Sequence, residues 1–210
     1  TTSIQDVTGN VSASGAVSAG AGSDTITFGK LTNAYVADGA VLNSTGNIIV
    51  KAASDETYVV VVASAGVSSV AAINGAASVI VIENRTIAEI KSATLNADGS
   101  IAVWAEDDQN LFAAAGAASA AVNPTGSLSA AAGVVVVRAS NQVKALVGSG
   151  AQLNVLGNKE ISFYTGQLSG NNGQKNRSRI RAMQRGILIG AFNNTHLNAV
   201  AASGSVSVGG

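Results

Sequence analysis

Apolar and polar residues alternate along most of this chain. The stretch Val59–Ile82, VVVVASAGVSSVAAINGAASVIVI, carries the pattern without a single charge. As a helix it would be long enough to cross a bilayer. It has no Leu, however, and it holds Ser64, Ser68, Ser69, Asn74 and Ser78. Its period is two, the period of a strand rather than of a helix. The odd positions from Val59 to Val81 are mostly Val, Ala and Ile, and the even ones include Ser64, Gly66, Ser68, Asn74 and Ser78. The pattern assigns the odd positions to the core and the small polar ones to the outside. Its counterpart Leu111–Val137 contains Asn123-Pro124, which a matched spanning helix would not tolerate. The prediction is two strands and a turn in a narrow core, not membrane-spanning.

The alternation is organised in repeats. Asn33–Ala52, Ile87–Ala105 and Lys144–Phe163 share Ala-x-Leu-Asn, two residues, Gly, and an apolar run, with anchors Leu42-Asn43, Leu95-Asn96 and Leu153-Asn154. A period of 53 to 58 residues indicates stacked units rather than one globule. Small-residue blocks, Asn74–Asn84 and Thr125–Asn141, recur between them. Gly-containing turns such as Asp38-Gly39 and Ser44-Thr45-Gly46 separate the strands. The fold class expected is all-β, a right-handed parallel β-helix (solenoid) of about 18–20 residues per coil. Three coils per unit would make a rod of roughly 50 Å. Asn43, Asn96 and Asn154 share one turn position, where they either form a ladder of side-chain amides or serve a left-handed turn. Residues 1–210 form one segment whose ends share a repeat phase, which reads as an excerpt of a longer array.

Composition sharpens this picture. The chain is 47% hydrophobic but only 4% aromatic, so small and β-branched side chains must fill the core. Net charge is zero, yet all 12 acidic residues lie at or before Glu160, and Ile161–Gly210 holds five basic residues. Whole-protein attraction to nucleic acid is not expected. The absence of cysteine excludes disulfides, thiolate metal sites and cysteine nucleophiles. Thr1–Asp6 lacks the basic start and apolar run of a signal peptide.

The units resemble the passenger repeats of large bacterial exoproteins of the filamentous-haemagglutinin and leukotoxin-like adhesin group. The matching text is Asn-Arg-Thr-Ile-Ala-Glu-Ile (Asn84–Ile90), Asn33–Asn43, and Gly46–Ala52. The resemblance implies a right-handed parallel β-helix on a Gram-negative cell surface, exported by an autotransporter or two-partner route. It implies adhesion to host cells or bacteria, or in one branch cytotoxicity, and no catalytic motif. A passive spacer and a trimeric autotransporter head are the competing architectural readings. As a fragment the chain is expected to be a monomer.

One departure interrupts the third unit. Gly166–Gly186, GQLSGNNGQKNRSRIRAMQRG, inserts Lys175, Arg177, Arg179, Arg181 and Arg185 at odd positions. On an extended strand these would share one face, a candidate patch for an anionic glycan, a lipid headgroup or an acidic surface receptor. The alternative is a solvated edge whose charge prevents aggregation. No aromatic residue interleaves the arginines to stack bases, so nucleic acid is not the expected partner. The acidic run Glu106-Asp107-Asp108 aligns with Asp55-Glu56 one unit earlier and reads as a solvated turn, with calcium as its functional alternative. His196 is the only histidine and has no second ligand. No carboxylate pair recurs in an aromatic-lined groove as a polysaccharide-active β-helix enzyme needs. No enzyme activity, cofactor or metal is expected.

Overall fold

The computed structural model describes residues 2–169 and 178–209. The chain is all-β. Its strands are β1 (Thr2–Ser14), β2 (Val17–Val36), β3 (Val41–Ser44), β4 (Ile48–Ser68), β5 (Ala71–Ile90), β6 (Thr94–Ala97), β7 (Ile101–Val122), β8 (Leu128–Val147), β9 (Gln152–Val155), β10 (Ile161–Leu168), β11 (Arg179–Gln184) and β12 (Ile187–Val208). Three parallel sheets result: sheet A in the order β1-β4-β7-β12, sheet B as β2-β5-β8 and sheet C as β3-β6-β9. An antiparallel pair, β10-β11, stands apart. Among the described residues no helix is long and apolar enough to cross a membrane. Val59–Ile82 falls within β4, the turn at Ser69–Val70 and β5.

Each repeat contributes one strand to each sheet. Leu42 pairs with Leu95 and Leu95 with Leu153, so the repeat anchors of the sequence lie directly on one another. The stacking repeat is thus the whole unit, 53 to 58 residues, and not the 18–20 residues expected for a coil. The reason is local. From Ile48 to Ser68 no proline and no left-handed residue interrupts the alternation, so the chain turns only after some twenty residues. A strand of that length spans roughly 65 Å, and a sheet four strands deep is only about 15 Å high, well short of a 50 Å rod. The corners after β2 and β8 each use a left-handed glycine, Gly39 (φ 73°) and Gly150 (φ 86°). The expected turn at Asp38-Gly39 is one of these.

The core changes character along the strands. Where all three sheets meet, Val50, Ile90, Leu95, Ile101 and Val103 form an apolar cluster. Further along, sheets A and B lie face to face over Tyr58, Val60, Ile80, Ile82 and Leu111, with Phe28 edge-on to Tyr58 at 5.3 Å. Beyond that only Val62, Ala76, Ala115 and Ala117 remain as an apolar cluster. At the tip the interior is Ser18, Ser64, Ser68, Asn74 and Ser119 with Ala72 and Ala121, all buried.

The odd-in assignment of Val59–Ile82 is therefore inverted. The even residues Tyr58, Val60, Val62, Ser64 and Ser68 are buried, while Val67 is 57% exposed and Ile73 is exposed too. The cause is sheet separation. A Cβ at Gly66 would collide with the Asn74 amide, and one at Gly133 would lie 2.6 Å from the Ala202 carbonyl oxygen. Sheets that close admit only Gly, Ala, Ser and a flat amide, so the larger Val and Ile side chains are left outside.

Candidate functional site: an outer clasp and a buried charge layer

The described part of the insertion, with β10 and β11, folds back onto the outer face of sheet A. Ile161 and Leu188 pack on Ala102 with Phe163 beside them. The sole tryptophan, Trp104, stacks on Phe192 at 4.7 Å and meets Phe163 edge-on at 5.7 Å. Gly190 makes room for the indole, since a Cβ there would enter the Trp104 ring. Gly166, at φ 82°, likewise passes close over Phe192. Tyr164 completes the aromatic group at 5.1 Å from Phe192.

A charge cluster borders these rings. The Glu106 carboxylate is 2% exposed and accepts hydrogen bonds from Trp104 Nε1 (2.8 Å) and Arg179 Nη1 (2.7 Å). Lys51 Nζ lies 3.1 Å from the same carboxylate. Arg179 also donates to Asp108 at 3.1 Å, and Asn194 donates to the other Asp108 oxygen at 2.9 Å. Arg179 further covers the Tyr164 ring at 5.8 Å. Charge-assisted bonds of this kind, shielded by aromatic rings, fix geometry more strongly than exposed pairs do.

Of the five basic residues proposed from sequence, three are described. Lys175 and Arg177 lie outside the described residues. Arg179 turns toward sheet A and is half-buried, whereas Arg181, two positions on, is exposed. The register of β10 against β11 shifts between Tyr164 and Leu168, so strict alternation does not hold across the pair. Arg185 reaches Glu160 at 3.5 Å, both well exposed. The Glu106-Asp107-Asp108 run is corrected: it lies inside β7, not in a solvated turn. Sheet B covers one side of it and the insertion the other.

On the inner face the strands carry a layer that sequence reasoning missed. Glu56 is fully buried and accepts from Lys30 Nζ at 2.8 Å, from Asn84 at 3.2 Å, and from Ser54. Asp107, 3% exposed, sits directly above Ser54 in the parallel register. Burial first, and the Glu56 charge second, push the Asp107 carboxyl up to about 7. Tyr58 is pushed up to about 12, by burial foremost. One strand higher, Asn141 donates to Gln109 at 2.8 Å and to Thr195 at 3.0 Å. The layer separates the two apolar clusters and recurs from strand to strand. A signal for it existed: Lys30 and Glu56 share the phase of Phe28, Tyr58 and Val60, so each puts a charge on a core face. The inverted face assignment hid it.

The asparagine ladder of the sequence is present. Asn96 Nδ2 donates to Asn43 Oδ1 at 2.7 Å, and Asn154 Nδ2 to Asn96 Oδ1 at 2.8 Å. His196 contacts Asn198 at 3.0 Å on the surface. Among the described residues no three His, Asp or Glu side chains converge as a metal would require. Comparison with known proteins finds no matching family model, no matching curated protein and no matching solved structure.

Proposed function

We propose that this chain is a segment of a bacterial surface exoprotein, a right-handed parallel β-helix with adhesive and structural roles. The observation that supports this most is the division of labour between stacked repeats and insertion. The repeats stack strand on strand in three parallel sheets, a rigid and extensible support. The single departure from the repeat is a clasped antiparallel pair on the outside, with Arg181 and Arg185 exposed. Loops held on a rigid scaffold are where binding concentrates. The resemblance of Asn84–Ile90 and Asn33–Ala52 to passenger repeats of filamentous-haemagglutinin and leukotoxin-like exoproteins points the same way. Gram-negative surface location and export by an autotransporter or two-partner route belong to this reading. The ligand would be a surface receptor or an anionic glycan, and no chemistry on bound ligand is proposed.

The test compares beads bearing the chain with beads bearing a variant whose 166–186 insertion is replaced by a short Gly-Ser turn. Attachment to epithelial cells and to heparin should be present for the first and lost for the second. Equal attachment by both would refute binding through the insertion. No attachment by either would leave the chain a spacer, and lysis of leukocytes would make it part of a toxin.

A further inference from the structure

The tip half of the molecule is inside out. Its interior is mostly serine, alanine, glycine and asparagine, and its exterior is valine, alanine and glycine. On sheet A the outward side chains include Val7, Val61, Val67, Val200 and Val206, the first paired with the second across β1 and β4. No Asp, Glu, Lys or Arg occurs in Val7–Ser14, Thr57–Ser68, Gln109–Val122 or Ile187–Val208, so all four strands present an uncharged face there. Between the valine columns runs a furrow where Ala63, Gly116 and Ala202 lie side by side in register. Its volume is about 450 Å³ and its walls are almost wholly apolar.

We propose that this outer face of sheet A is the docking surface for a second copy of the same chain. Two observations select that occupant. First, the face is of the right size. Ten residues along the strands by four strands across is about 600 Å². Two such faces bury about 1,200 Å², the lower bound of stable specific interfaces. One such face lies at the upper end of the apolar patches that ordinary monomers leave uncovered. Second, its relief is self-complementary. Valine ridges flank a glycine-alanine furrow, so a two-fold partner seats its ridge in the furrow and receives the other ridge in return. With no charge on either face, nothing ionic is desolvated.

Stacking further repeats cannot cover this face. New strands add at the edges of the sheet, while the furrow opens perpendicular to it. The tip also gains from cover in a way the rest of the molecule does not. Its interior serines Ser64, Ser68 and Ser119 supply little apolar burial, so docking supplies what the interior lacks. The inference departs from the monomer expected for the fragment and stands independently of the adhesive reading.

The experiment is light scattering after size exclusion, with sedimentation equilibrium from 1 to 100 µM, on the full chain. The expected mass is twice the 20.6 kDa chain mass. Ala118→Glu and Val67→Lys, both on exposed positions of the face, should weaken dimerisation at least tenfold, with the β-sheet circular dichroism retained. Val134→Lys, on the outer face of sheet B, should leave the mass unchanged. The chain has no cysteine, so Ala118→Cys gives a unique thiol. Its alkylation should be slow at 100 µM and fast on dilution. That readout needs no charged variant to fold. A monomer throughout the concentration range would overturn the proposal. So would a dimer broken by Val134→Lys and not by Ala118→Glu. Sedimentation with phosphatidylcholine vesicles that Ala118→Glu abolishes, by a chain that stays monomeric, would assign the face to lipid instead.

Discussion

Replacing Asp107 by asparagine should stabilise this protein by an amount that grows as pH rises from 4 to 7. Asp107 is 3% exposed and faces Ser54 and Glu56 from β4, while Lys30 from β2 is committed to Glu56 at 2.8 Å. One ammonium thus serves two carboxylates. Its carboxyl is pushed from the usual value near 3.8 up to about 7, by burial and then by the Glu56 charge. The folded protein therefore binds this proton more tightly than the unfolded chain does. The associated stability is fully present below pH 4 and is lost as pH rises through about 7. Moving the carboxyl from 3.8 to about 7 corresponds to at most about 4 kcal/mol. Asn keeps the shape and cannot ionise. Asp107→Asn should thus match the parent at pH 4 and exceed it by about 2–4 kcal/mol at pH 8. Urea melts followed by circular dichroism from pH 4 to 8 measure this, and every other titration cancels in the difference between the two proteins. A difference that does not change with pH, or an asparagine variant that is less stable at pH 8, would refute the argument.

Lys30→Met leaves Glu56 and Asp107 without a cation, and should cost about 3–5 kcal/mol at pH 8 and distinctly less at pH 5, in the same urea melts. Arg179→Ala removes two of the charge-assisted bonds holding the insertion, to Glu106 and Asp108. Its fluorescence from Trp104 should shift to the red and residues 166–186 should be cleaved faster by trypsin, with little change in the global melt. Asn96→Ala breaks both rungs of the asparagine ladder. Since the ladder is exposed, the loss should be about 1 kcal/mol, and a neutral result would show that the amides contribute only turn geometry. Gly66→Val forces a side chain onto Asn74, and the melting temperature should fall by several degrees as the two sheets are pushed apart.

Strand against helix was decided by the sequence, because a two-residue period puts alternate side chains on opposite faces and nothing in the fold can change that. The recurrence of Leu-Asn with a glycine three residues on also determined which strands stack, and Leu42, Leu95 and Leu153 lie in one row. The ladder through Asn43, Asn96 and Asn154 follows from the same equivalence. Period alone does not say which face is inside. In Val59–Ile82 both faces are apolar enough to be buried, and the choice fell to the separation of sheets A and B, which excludes Val and Ile at the tip and admits Ser64, Gly66 and Asn74. Strand length follows locally from the lack of a proline or left-handed residue between Ile48 and Ser68, and the stacked register then makes one unit a single circuit through the three sheets. The pairings of Lys30 with Glu56 and of Arg179 with Glu106 join residues 26 and 73 positions apart. Only the stacked register and the folded-back insertion bring such partners within bonding distance, because side-chain charges recognise each other through space and not along the chain.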